Sequence, residues 1–470
     1  MKNSIIIGLL FLHVNVSATI WQVGPSKTYT FCSQIASLVQ HGDTIEIDQF
    51  VYVNDPQVIW NKNNLLIRGA GGRPILQAGS NIANDAVNGK GIFVISGQNV
   101  KVEHIEFRNA SVMDHNGAGI RQEGRNLYVT HCKFDGNEMG ILCGDITNCK
   151  TTVEYCEFVN GGSLSNPGYQ HNIYINHIDT LIFRYNYSHN AIAEGHELKS
   201  RATNNIILYN RIANENSVDS RTIDLPNGGI SVLLGNIIEQ GINSANSNLL
   251  GYGLEGLTNP APHGLYMVNN TFVNKKTTGS FINIQNGTDS LFLKNNILAG
   301  AKTGGLLIGT PLHIDSSGNK INDAISAFDF MNSTLYDYHL QASSLAKDAG
   351  VAVYKTILNT LLVPTNMYVD TCQFVARPLA SGIDVGAFEI PFATITSDVR
   401  SGKKFTIYPD PCSGILHFKE PVDGRYIIYN YAGQKIQEGM IRDQSLDVTS
   451  LPTAVYSLQT GNQLLTFIKE

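Results

Sequence analysis

A short phrase recurs along the middle of the chain, and its spacing restricts the possible folds more than any other feature. The phrase reads apolar-x-apolar-x-x-Asn-x-apolar, with another residue in place of Asn in the first copies. Successive copies lie 24 to 34 residues apart, and their central residues are Ile105, Cys132, Cys156, Asn186, Asn210, Asn236, Asn270 and Asn296. A repeat of this length with strand-like alternation indicates a solenoid of short parallel strands. The alternative is a chance run in a chain rich in Asn.

The repeat predicts an all-β fold, a right-handed parallel β-helix over roughly residues 45–309, because crossovers between parallel strands are right-handed. At each corner Asn tolerates a left-handed backbone, and its amide can bond to the Asn of the next coil. Outward side chains at one strand position then stack into a column along the helix. Residues far apart in the sequence therefore become neighbours when they occupy equivalent positions in adjacent coils.

Composition supports a β-rich chain and limits its partners. Charged residues make up 15% of the 470 residues, below the usual share of about a quarter, whereas 44 glycines suit many turns. The length exceeds one ordinary domain, so we expect at least two. A net charge of −6 gives no general attraction to nucleic acid or anionic membranes, so an acidic ligand needs a local basic patch. We expect a monomer with no nucleic-acid partner and no membrane span.

Residues 1–18 have the pattern of a secretory signal peptide. Lys2 supplies the positive charge, residues 5–16 are the apolar stretch, and Val16-Ser17-Ala18 is a suitable cleavage site. The apolar run is short for a membrane span. A buried first strand is the alternative. We therefore expect a protein that passes through the periplasm and is secreted or held at the cell surface.

The seven cysteines lack the spacing of a metal site, and export makes disulfides possible. Cys143 and Cys149 flank a tight turn that a disulfide would close. Cys132 and Cys156 share one position of the repeat, so we expect them to stack in the core. The odd number leaves at least one thiol without an intramolecular disulfide.

The repeats divide the mature chain into a β-helix with an N-terminal cap at residues 19–309 and a closing segment at residues 310–395. A short amphipathic helix is expected at residues 31–39, covering the open end of the first coil. The closing segment contains Gly382-Ile383-Asp384-Val385-Gly386-Ala387-Phe388-Glu389. It resembles the final segment of many secreted bacterial β-helix proteins, which implies loops that cover the C-terminal end of the core.

Residues 396–470 form a separate unit of short alternating strands, as in a small β-sandwich. Its phrases come in the order Phe405-Thr406-Ile407-Tyr408-Pro409, Tyr426-Ile427-Ile428-Tyr429-Asn430, Ala432-Gly433-Gln434 and Leu451-Pro452. This order resembles the C-terminal sorting domain of the type IX secretion system of Bacteroidetes-like bacteria, and it implies that secretion machinery as a partner. The alternative is an accessory sandwich domain that binds carbohydrate.

Three successive coils carry most of the reactive side chains, in the segments 171–175, 195–201 and 221–227. Counted back from the corner asparagines, their inward positions align at Ile173, Leu198 and Ile223. Strand alternation then predicts two outward columns. The first column is Asn172, Glu197 and Thr222, and the second is Tyr174, Lys199 and Asp224. The residues that begin the strands are His171, His196 and Arg221.

Those strand-start residues are expected to turn outward, because burying Arg221 without a partner is costly. With about 4.8 Å between coils, the whole set converges within roughly 10 Å. The alternative is a surface ladder of ordinary ion pairs, Lys199 with Asp224 and Arg221 with Glu197, which contributes little. Charges are sparse elsewhere in the chain, which favours a site. Residues 227–229 are interpreted as a turn.

Two reactions on polysaccharides suit a groove along a β-helix. Hydrolysis needs carboxylates on both sides of the scissile bond, and the outward acids are only Glu197 and Asp224. β-Elimination needs a base for the proton beside a uronate carboxylate and a cation to neutralise that carboxylate. Lys199 suits the base if burial and nearby Arg201, Arg221 or a protonated His lower its pKa, and a calcium ion held by Glu197 and Asn172 would supply the neutralising charge. The cation-rich set therefore favours elimination.

The run Glu197-Leu198-Lys199-Ser200, followed by Asn204-Asn205-Ile206, resembles the Lys-Ser coil of alginate and chondroitin lyases of the β-helix type, within the pectate-lyase-like superfamily. That resemblance implies Lys199 as the base, Arg221 in the following coil as the acid, and Glu197 as a calcium ligand. The family has a longer gap between its acids and the Lys, and the phrase around Arg221 differs. The match covers about three coils.

The sequence therefore predicts a secreted or surface-attached protein that acts on an acidic polysaccharide, with β-elimination of a uronate polymer as the first hypothesis. The predicted catalytic residues are Lys199, Arg221, His196, His171, Tyr174 and Asp224. The predicted substrate-binding residues are Arg201 and Asn172, and the predicted metal ligand is Glu197. A non-catalytic glycan-binding β-helix or adhesin and a glycoside hydrolase remain open alternatives.

Overall fold

The structure is a computed structural model that describes residues 18–80, 89–378, 382–391, 406–422, 424–430, 435–460 and 463–470. Apart from Ala18, the predicted signal peptide lies outside the described residues. The chain divides into two compact units, Met1–Ile390 and Pro391–Glu470. Within the described ranges, no helix has both the length and the apolar composition that a membrane crossing requires.

The first unit is a right-handed parallel β-helix, as predicted, with three sheets that the chain visits in the same order in each coil. The 12 strands of the first sheet are Ile20–Val23, Thr44–Asp48, Leu66–Ala70, Lys101–Glu103, Tyr128–Thr130, Lys150–Glu154, Thr180–Arg184, Asn204–Leu208, Ile230–Leu234, Gly264–Val268, Ser290–Lys294 and His313–Ser317. The 11 strands of the second sheet are Val51–Val53, Ile75–Gln77, Glu106–Arg108, Lys133–Asp135, Glu157–Val159, Tyr187–His189, Arg211–Ala213, Ile237–Gln240, Thr271–Asn274, Ile297–Gly300 and Lys320–Asn322.

The third sheet carries the candidate site. Its 10 strands are Val58–Trp60, Gly91–Ile95, Ala118–Gln122, Met139–Cys143, Ile173–Ile175, Leu198–Ser200, Ile223–Leu225, Asn248–Tyr252, Ser280–Ile284 and Leu307–Ile308. The strands of all three sheets are short and rich in Ile, Val, Leu and Phe, whose inward side chains form one continuous core.

The recurring asparagines form the predicted ladder at the corner between the first and second sheets. Asn210 Nδ2 donates to Asn236 Oδ1 at 2.9 Å, and Asn236 Nδ2 repeats the bond to Asn270. The prediction that these asparagines themselves have a left-handed backbone is wrong. The residue before each of them has it instead, such as Tyr209 at φ 53° and Asn269 at φ 50°. The preceding residue makes the corner, which leaves the Asn side chain free to point inward.

Two predictions about the ends of the core are wrong. The expected helix at residues 31–39 is only a 3-10 turn, Cys32–Gln34, although Cys32, Ile35 and Val39 are buried against the core as the pattern implied. The closing segment lies along the flank of the coils rather than over their end: Asn295 Nδ2, for example, donates to the Val351 carbonyl. Core positions of the last coil therefore stay exposed, with Ile314 at 55%.

The closing segment adds short elements that pack on the second sheet and on its corner with the first. Its antiparallel strand pairs are Phe330–Asn332 with Asp337–Leu340, Thr356–Ile357 with Thr360–Leu361, and Asn366–Val369 with Gln373–Ala376. Its 3-10 helices are Ile325–Phe328 and Ser333–Leu335.

All seven cysteines are free and buried. Cys143 and Cys149 therefore do not close their turn with a disulfide in this structure. Cys132 and Cys156 stack in the core as expected, with the Cys132 N–H 3.4 Å from the Cys156 sulfur.

The second unit is a small β-sandwich around its own core. One sheet has the strands Ile407–Tyr408, Ile415–Phe418 and Ser445–Asp447, and the other has Lys435–Ile441, Gly424–Tyr429, Ala454–Thr460 and Gln463–Lys469. Leu416 and Phe418 from the first sheet are buried together with Leu458 and Phe467 from the second.

Candidate functional site

The third sheet brings three of the predicted residues into one outward column. Tyr174 pairs in register with Lys199, and Lys199 pairs with Asp224. The neighbours of Lys199 in its strand, Leu198 and Ser200, are buried, so the lysine side chain points away from the core. The repeat alignment thus placed these three residues correctly.

Alternation fails at the start of each strand, where two successive residues face inward. Asn172 and Ile173 are both buried, and Glu197 and Leu198 repeat the arrangement in the next coil. The predicted outward column of Asn172, Glu197 and Thr222 therefore lies inside the body. The residue before each pair contacts the other column instead: His171 packs edge-on against Tyr174, and His196 and Arg221 border Asp224. Both histidines are buried rather than exposed as predicted.

Asn172 and Glu197 hold the turn between the second and third sheets. Asn172 Nδ2 donates to Glu197 Oε2 at 2.5 Å and to the His189 carbonyl at 2.9 Å. The other oxygen, Glu197 Oε1, accepts from the Ala191 N–H at 2.8 Å. Burial, reinforced by the nearby charge of Asp219, raises the pKa of Glu197 well above its usual range. Asn172 is accordingly not exposed to substrate.

Glu197 does not fit the calcium-ligand role predicted for it. Both of its oxygens already accept hydrogen bonds in the interior, and its raised pKa disfavours the charged form that calcium prefers. Within the described part of the chain, no three side chains of His, Cys, Asp or Glu gather as metal ligands would.

Two carboxylates contact the Lys199 ammonium. Asp224 Oδ2 lies 3.5 Å from Lys199 Nζ, and Glu255 Oε1 lies 3.2 Å from it. Asp224 is nearly buried, with 4% of its side chain exposed, whereas 47% of the Glu255 side chain is exposed. One acid is therefore part of the floor, and the other reaches over Lys199 from the surface.

Arg201 joins this group from the strand end next to Lys199. Its NH2 group lies 2.7 Å from Glu255 Oε2, its Nε donates to the Tyr174 hydroxyl at 2.9 Å, and its NH1 donates to Asn227 Oδ1 at 2.6 Å. Asn227 thus has a role in the site besides forming a turn. These bonds hold the guanidinium beside Lys199 with one edge toward the exposed carboxylate.

Arg221 and His196 border Asp224 on its other side. Arg221 NH1 and His196 Nε2 lie 3.5 Å and 3.6 Å from the Asp224 oxygens, and Arg221 Nε is buried without a hydrogen-bond partner. His196 Nδ1 lies 3.0 Å from the Arg221 carbonyl, which can only accept, so Nδ1 carries the proton.

The two imidazoles are stacked, and both are neutral near pH 7. Their ring centroids are 4.9 Å apart. Burial, then repulsion from His196 whenever that ring is protonated, and the charges of Lys199 and Arg201 lower the pKa of His171 well below its usual value. Burial also lowers the pKa of His196, although Asp224 opposes the shift. The cations of the site are therefore Lys199, Arg201 and Arg221, against the two acids.

Sequence reasoning missed Glu255 and Gly251, which the following coil contributes. The Glu255 N–H donates to the Pro226 carbonyl at 2.9 Å, which fixes this turn over the strand of Asp224. A Cβ at Gly251 would lie 2.9 Å from Asp224 Oδ1 and 3.0 Å from the Arg221 side chain, so glycine leaves room for both. The repeat could have identified Gly251, because it is the next residue after Asp224 in the column. It could not have identified Glu255, because that residue lies in a turn whose length varies between coils.

No family profile and no curated protein sequence matches this chain. The structure of pectate lyase Pel9A is similar over 80% of this chain and 97% of its own, with 15% sequence identity and a TM-score of 0.52. The structure of pectin methylesterase PemA from Erwinia chrysanthemi aligns with 49% of this chain and 80% of its own, with 13% identity and a TM-score of 0.30. At 15% identity, the likeness to pectate lyase Pel9A shows the fold alone, a parallel β-helix.

Proposed function

We propose that this protein is a polysaccharide lyase that cleaves a uronate-containing polymer by β-elimination on the outer face of the third sheet. One observation carries the proposal: Lys199 and Arg201 together already bind a carboxylate, that of Glu255, at 3.2 Å and 2.7 Å. A uronate carboxylate has the same charge and shape. It can take the place of Glu255, whose side chain is half-exposed and ion-paired with these two cations.

Arg201 neutralises the uronate carboxylate in this proposal. Its NH2 group, which now lies 2.7 Å from Glu255 Oε2, would bind one oxygen of the uronate carboxylate and neutralise its charge, which makes the proton on the adjacent ring carbon more acidic. The bonds to Tyr174 and Asn227 hold Arg201 in place before substrate arrives. The residue is thus preorganised for an anion.

Lys199 removes the proton from the carbon next to the carboxylate. The C–H electrons form the new C=C bond, the bond from the ring to the bridging oxygen breaks, and the leaving oxygen takes a proton. The Tyr174 hydroxyl donates that proton, since a phenol has one to give and the guanidinium of Arg221 does not release its own. Arg221 hydrogen-bonds the leaving oxygen, and Asp224 holds Lys199 and Arg221 in position.

Glu255 acts as the occupant that substrate displaces. Its departure opens the exposed side of Lys199 and Arg201 to the uronate carboxylate, while Asp224 stays in place beside Lys199.

Hydrolysis is the second candidate, because Glu255 and Asp224 both contact Lys199 and could flank a glycosidic bond. A hydrolase needs one of them protonated as a general acid. Burial alone would raise the pKa of Glu255, but hydrogen bonds from Arg201 and Lys199 lower it below its usual value. This favours elimination over hydrolysis. A glycan-binding protein without catalysis would also use these cations.

The test is to incubate the protein with polygalacturonate, alginate and chondroitin sulfate, following both the ultraviolet absorbance of unsaturated uronate and the release of reducing ends. A lyase produces both signals on at least one polymer. Reducing ends without absorbance would replace the proposal with a hydrolase. Binding with neither signal would leave a glycan-binding protein.

We also propose that the protein is exported and that its C-terminal β-sandwich is a type IX sorting domain. The order of its sequence phrases supports this, together with its compact, separate core. Deletion of residues 396–470 should trap the protein in the periplasm while leaving the purified protein with normal activity. Normal secretion of the deletion variant would contradict the sorting role.

A further inference from the structure

We propose that the outer face of the first sheet carries a second saccharide-binding site, a hollow over Thr152 that binds a short acidic saccharide. The hollow lies on a different sheet from Lys199 and goes beyond the proposed elimination, so either proposal can fail without the other. Three features of this face point to such a ligand: the shape of the hollow, an aromatic ring with one uncovered side, and a cation without an acid partner.

The register of the first sheet produces the hollow. Tyr128, Thr152 and Ile182 pair in register on three successive strands and face outward, since their strand neighbours Val129 and Val153 are buried in the core. Thr152 is shorter than Tyr128 and Ile182, and a hollow of about 380 Å³ lies over it. Sites for small ligands usually have volumes of about 300–1,000 Å³. Tyr128 and Ile182 are partly exposed, so both can contact a ligand.

The ring of Tyr128 forms one wall of the hollow. Lys101, its neighbour in the preceding coil, places Nζ over the ring at 5.4 Å from the centroid. The neighbour in the following coil is Thr152, whose short side chain leaves that side of the ring uncovered. The Tyr128 hydroxyl donates to Glu154 Oε2 at 2.7 Å, which fixes the ring before a ligand arrives. A fixed aromatic ring beside a hollow suits the apolar C–H face of a pyranose.

The charges around the hollow favour an anion. Lys150 precedes Thr152 by two positions on the same strand, is exposed, and has no ion pair within the described part of the chain. Arg184 lies on the next strand, with 42% of its side chain exposed. The acid that lines the hollow, Glu154, is buried and already accepts hydrogen bonds from Arg184 Nε and from Tyr128. The lining residues therefore include one more cation than acid.

A sugar that carries a carboxylate or a sulfate fits these features together. Its ring packs between Tyr128 and Ile182 over Thr152, and its anionic group accepts hydrogen bonds from Lys150. Lys150 and Thr152 are about 7 Å apart along the strand, a distance that the lysine side chain spans easily. A neutral saccharide would fill the hollow equally well but would give Lys150 no anionic acceptor.

The test measures binding to the first sheet alone, in a background protein with the substitutions Lys199→Ala and Arg201→Gln. Trimers of galacturonate and of mannuronate, a chondroitin sulfate tetrasaccharide and neutral cellotriose are titrated by calorimetry. At least one acidic saccharide should bind at one site per chain, about tenfold more tightly than cellotriose. The uronate trimers carry only carboxylates, so their comparison with the sulfated saccharide distinguishes the two anions.

Two further substitutions in this background locate the site. Lys150→Ala should weaken binding of the preferred acidic saccharide about tenfold, the usual effect of losing one charge-assisted bond. Thr152→Leu fills the hollow and should weaken binding of that saccharide at least as much. Lys150 is exposed, so its removal leaves the fold intact even where the larger side chain at Thr152 does not.

Lys320→Ala is the matched control, since Lys320 is a lysine of the second sheet that likewise has no ion pair among the described residues. It should leave the affinity of the background protein unchanged. Absence of acidic saccharide binding by the background protein, equal binding of cellotriose, or unchanged affinity in Lys150→Ala would overturn the second site. Failure of the proposed function looks different: the wild type would form no unsaturated product, while the background protein would still bind the acidic saccharide through Lys150.

Discussion

Two polar ladders run along this β-helix, and they are built by the same device. Each takes one residue per coil from an equivalent position, so that the register of the strands sets the neighbours. In the asparagine ladder every amide is buried and bonded to the next at about 3 Å, as for Asn210 and Asn236. In the cluster around Lys199, contacts to Asp224 are 3.5 Å or longer, and Arg221 Nε has no acceptor. Balanced donors and acceptors make a ladder structural, whereas an excess of cations leaves capacity for a ligand.

The variant Lys199→Ala is the strongest test of the difference between the asparagine ladder and the cluster around Lys199. Lys199→Ala should lower turnover by about 10²- to 10⁴-fold, the usual contribution of a general base, while the melting temperature changes little because the site does not hold the core together. Initial rates and thermal unfolding measure the two effects. Lys133→Ala, which removes an ion-paired lysine of the second sheet, is the control and should leave both unchanged. A large loss of stability in Lys199→Ala would mean that this ladder is structural too.

The opposite result is expected for the asparagine ladder. Asn210→Ala removes the acceptor of the Asn186 N–H and the donor to the Phe183 carbonyl, both buried. The free energy of unfolding should fall by about 3–4 kcal/mol, while the turnover of the remaining folded protein stays normal. Denaturant titration measures the loss. Asn204→Ala in the same coil removes a more exposed amide and should cost under about 1 kcal/mol. Equal losses in the two variants would contradict the importance of the ladder.

A buried acid outside both ladders gives a prediction on pH. Burial raises the pKa of Glu239 to about 7, against the opposing charge of Lys275. The unfolded chain releases this proton near pH 4.5. Protonated Glu239 therefore contributes its full share to the free energy of unfolding below that pH, and this contribution is lost as the pH rises toward 7. Well below pH 4.5 this contribution amounts to about 3.4 kcal/mol.

Denaturant unfolding of the wild type and Glu239→Gln at pH 5 and pH 8 measures this contribution. Between these pH values, the free energy of unfolding of the wild type should fall by about 2–3 kcal/mol more than that of the variant. Glu239 also accepts a hydrogen bond from Tyr338 of the closing segment, so the effect should be seen in the first unit. Parallel pH dependence of the two proteins would contradict the raised pKa.

The smallest expected effect concerns the occupant of the site. Glu255→Gln removes the charge that pairs with Lys199 and Arg201, so uronate oligomers should bind about threefold to tenfold more tightly at low salt. Calorimetry with the preferred oligomer measures the change, and Glu194→Gln, at an exposed acid of a nearby turn, is the control. Weaker binding in Glu255→Gln would mean that Glu255 belongs to the ligand site rather than blocking it.

The periodic part of the molecule was predictable, and the irregular part was not. Register follows from the repeat, so the sequence placed Tyr174, Lys199 and Asp224 together. The predicted alternation of inward and outward side chains was wrong at Asn172 and Glu197, because two successive residues face inward where each strand begins. Nothing in the local sequence indicates these inward pairs. Glu255 was missed because turns between coils vary in length.

The same distinction explains the ends of the chain. The amphipathic pattern of residues 31–39 indicated a buried face, which Cys32, Ile35 and Val39 form, but it did not show that turns rather than a helix would provide this face. The closing segment resembles a cover for the core, yet its path along the flank depends on long-range contacts such as Asn295 with Val351. Periodicity carries no information about contacts of that kind.

The central claim, that the outward column is a catalytic site, is tested most directly with Lys199→Arg. This variant keeps the positive charge and the ion pairs but replaces the base with a group that does not give up its proton at working pH. The measurement is the ultraviolet absorbance of unsaturated uronate released by the wild type and by Lys199→Arg from the same polymer. We predict product from the wild type and none from the variant, with equal melting temperatures. Full activity in Lys199→Arg would contradict the account.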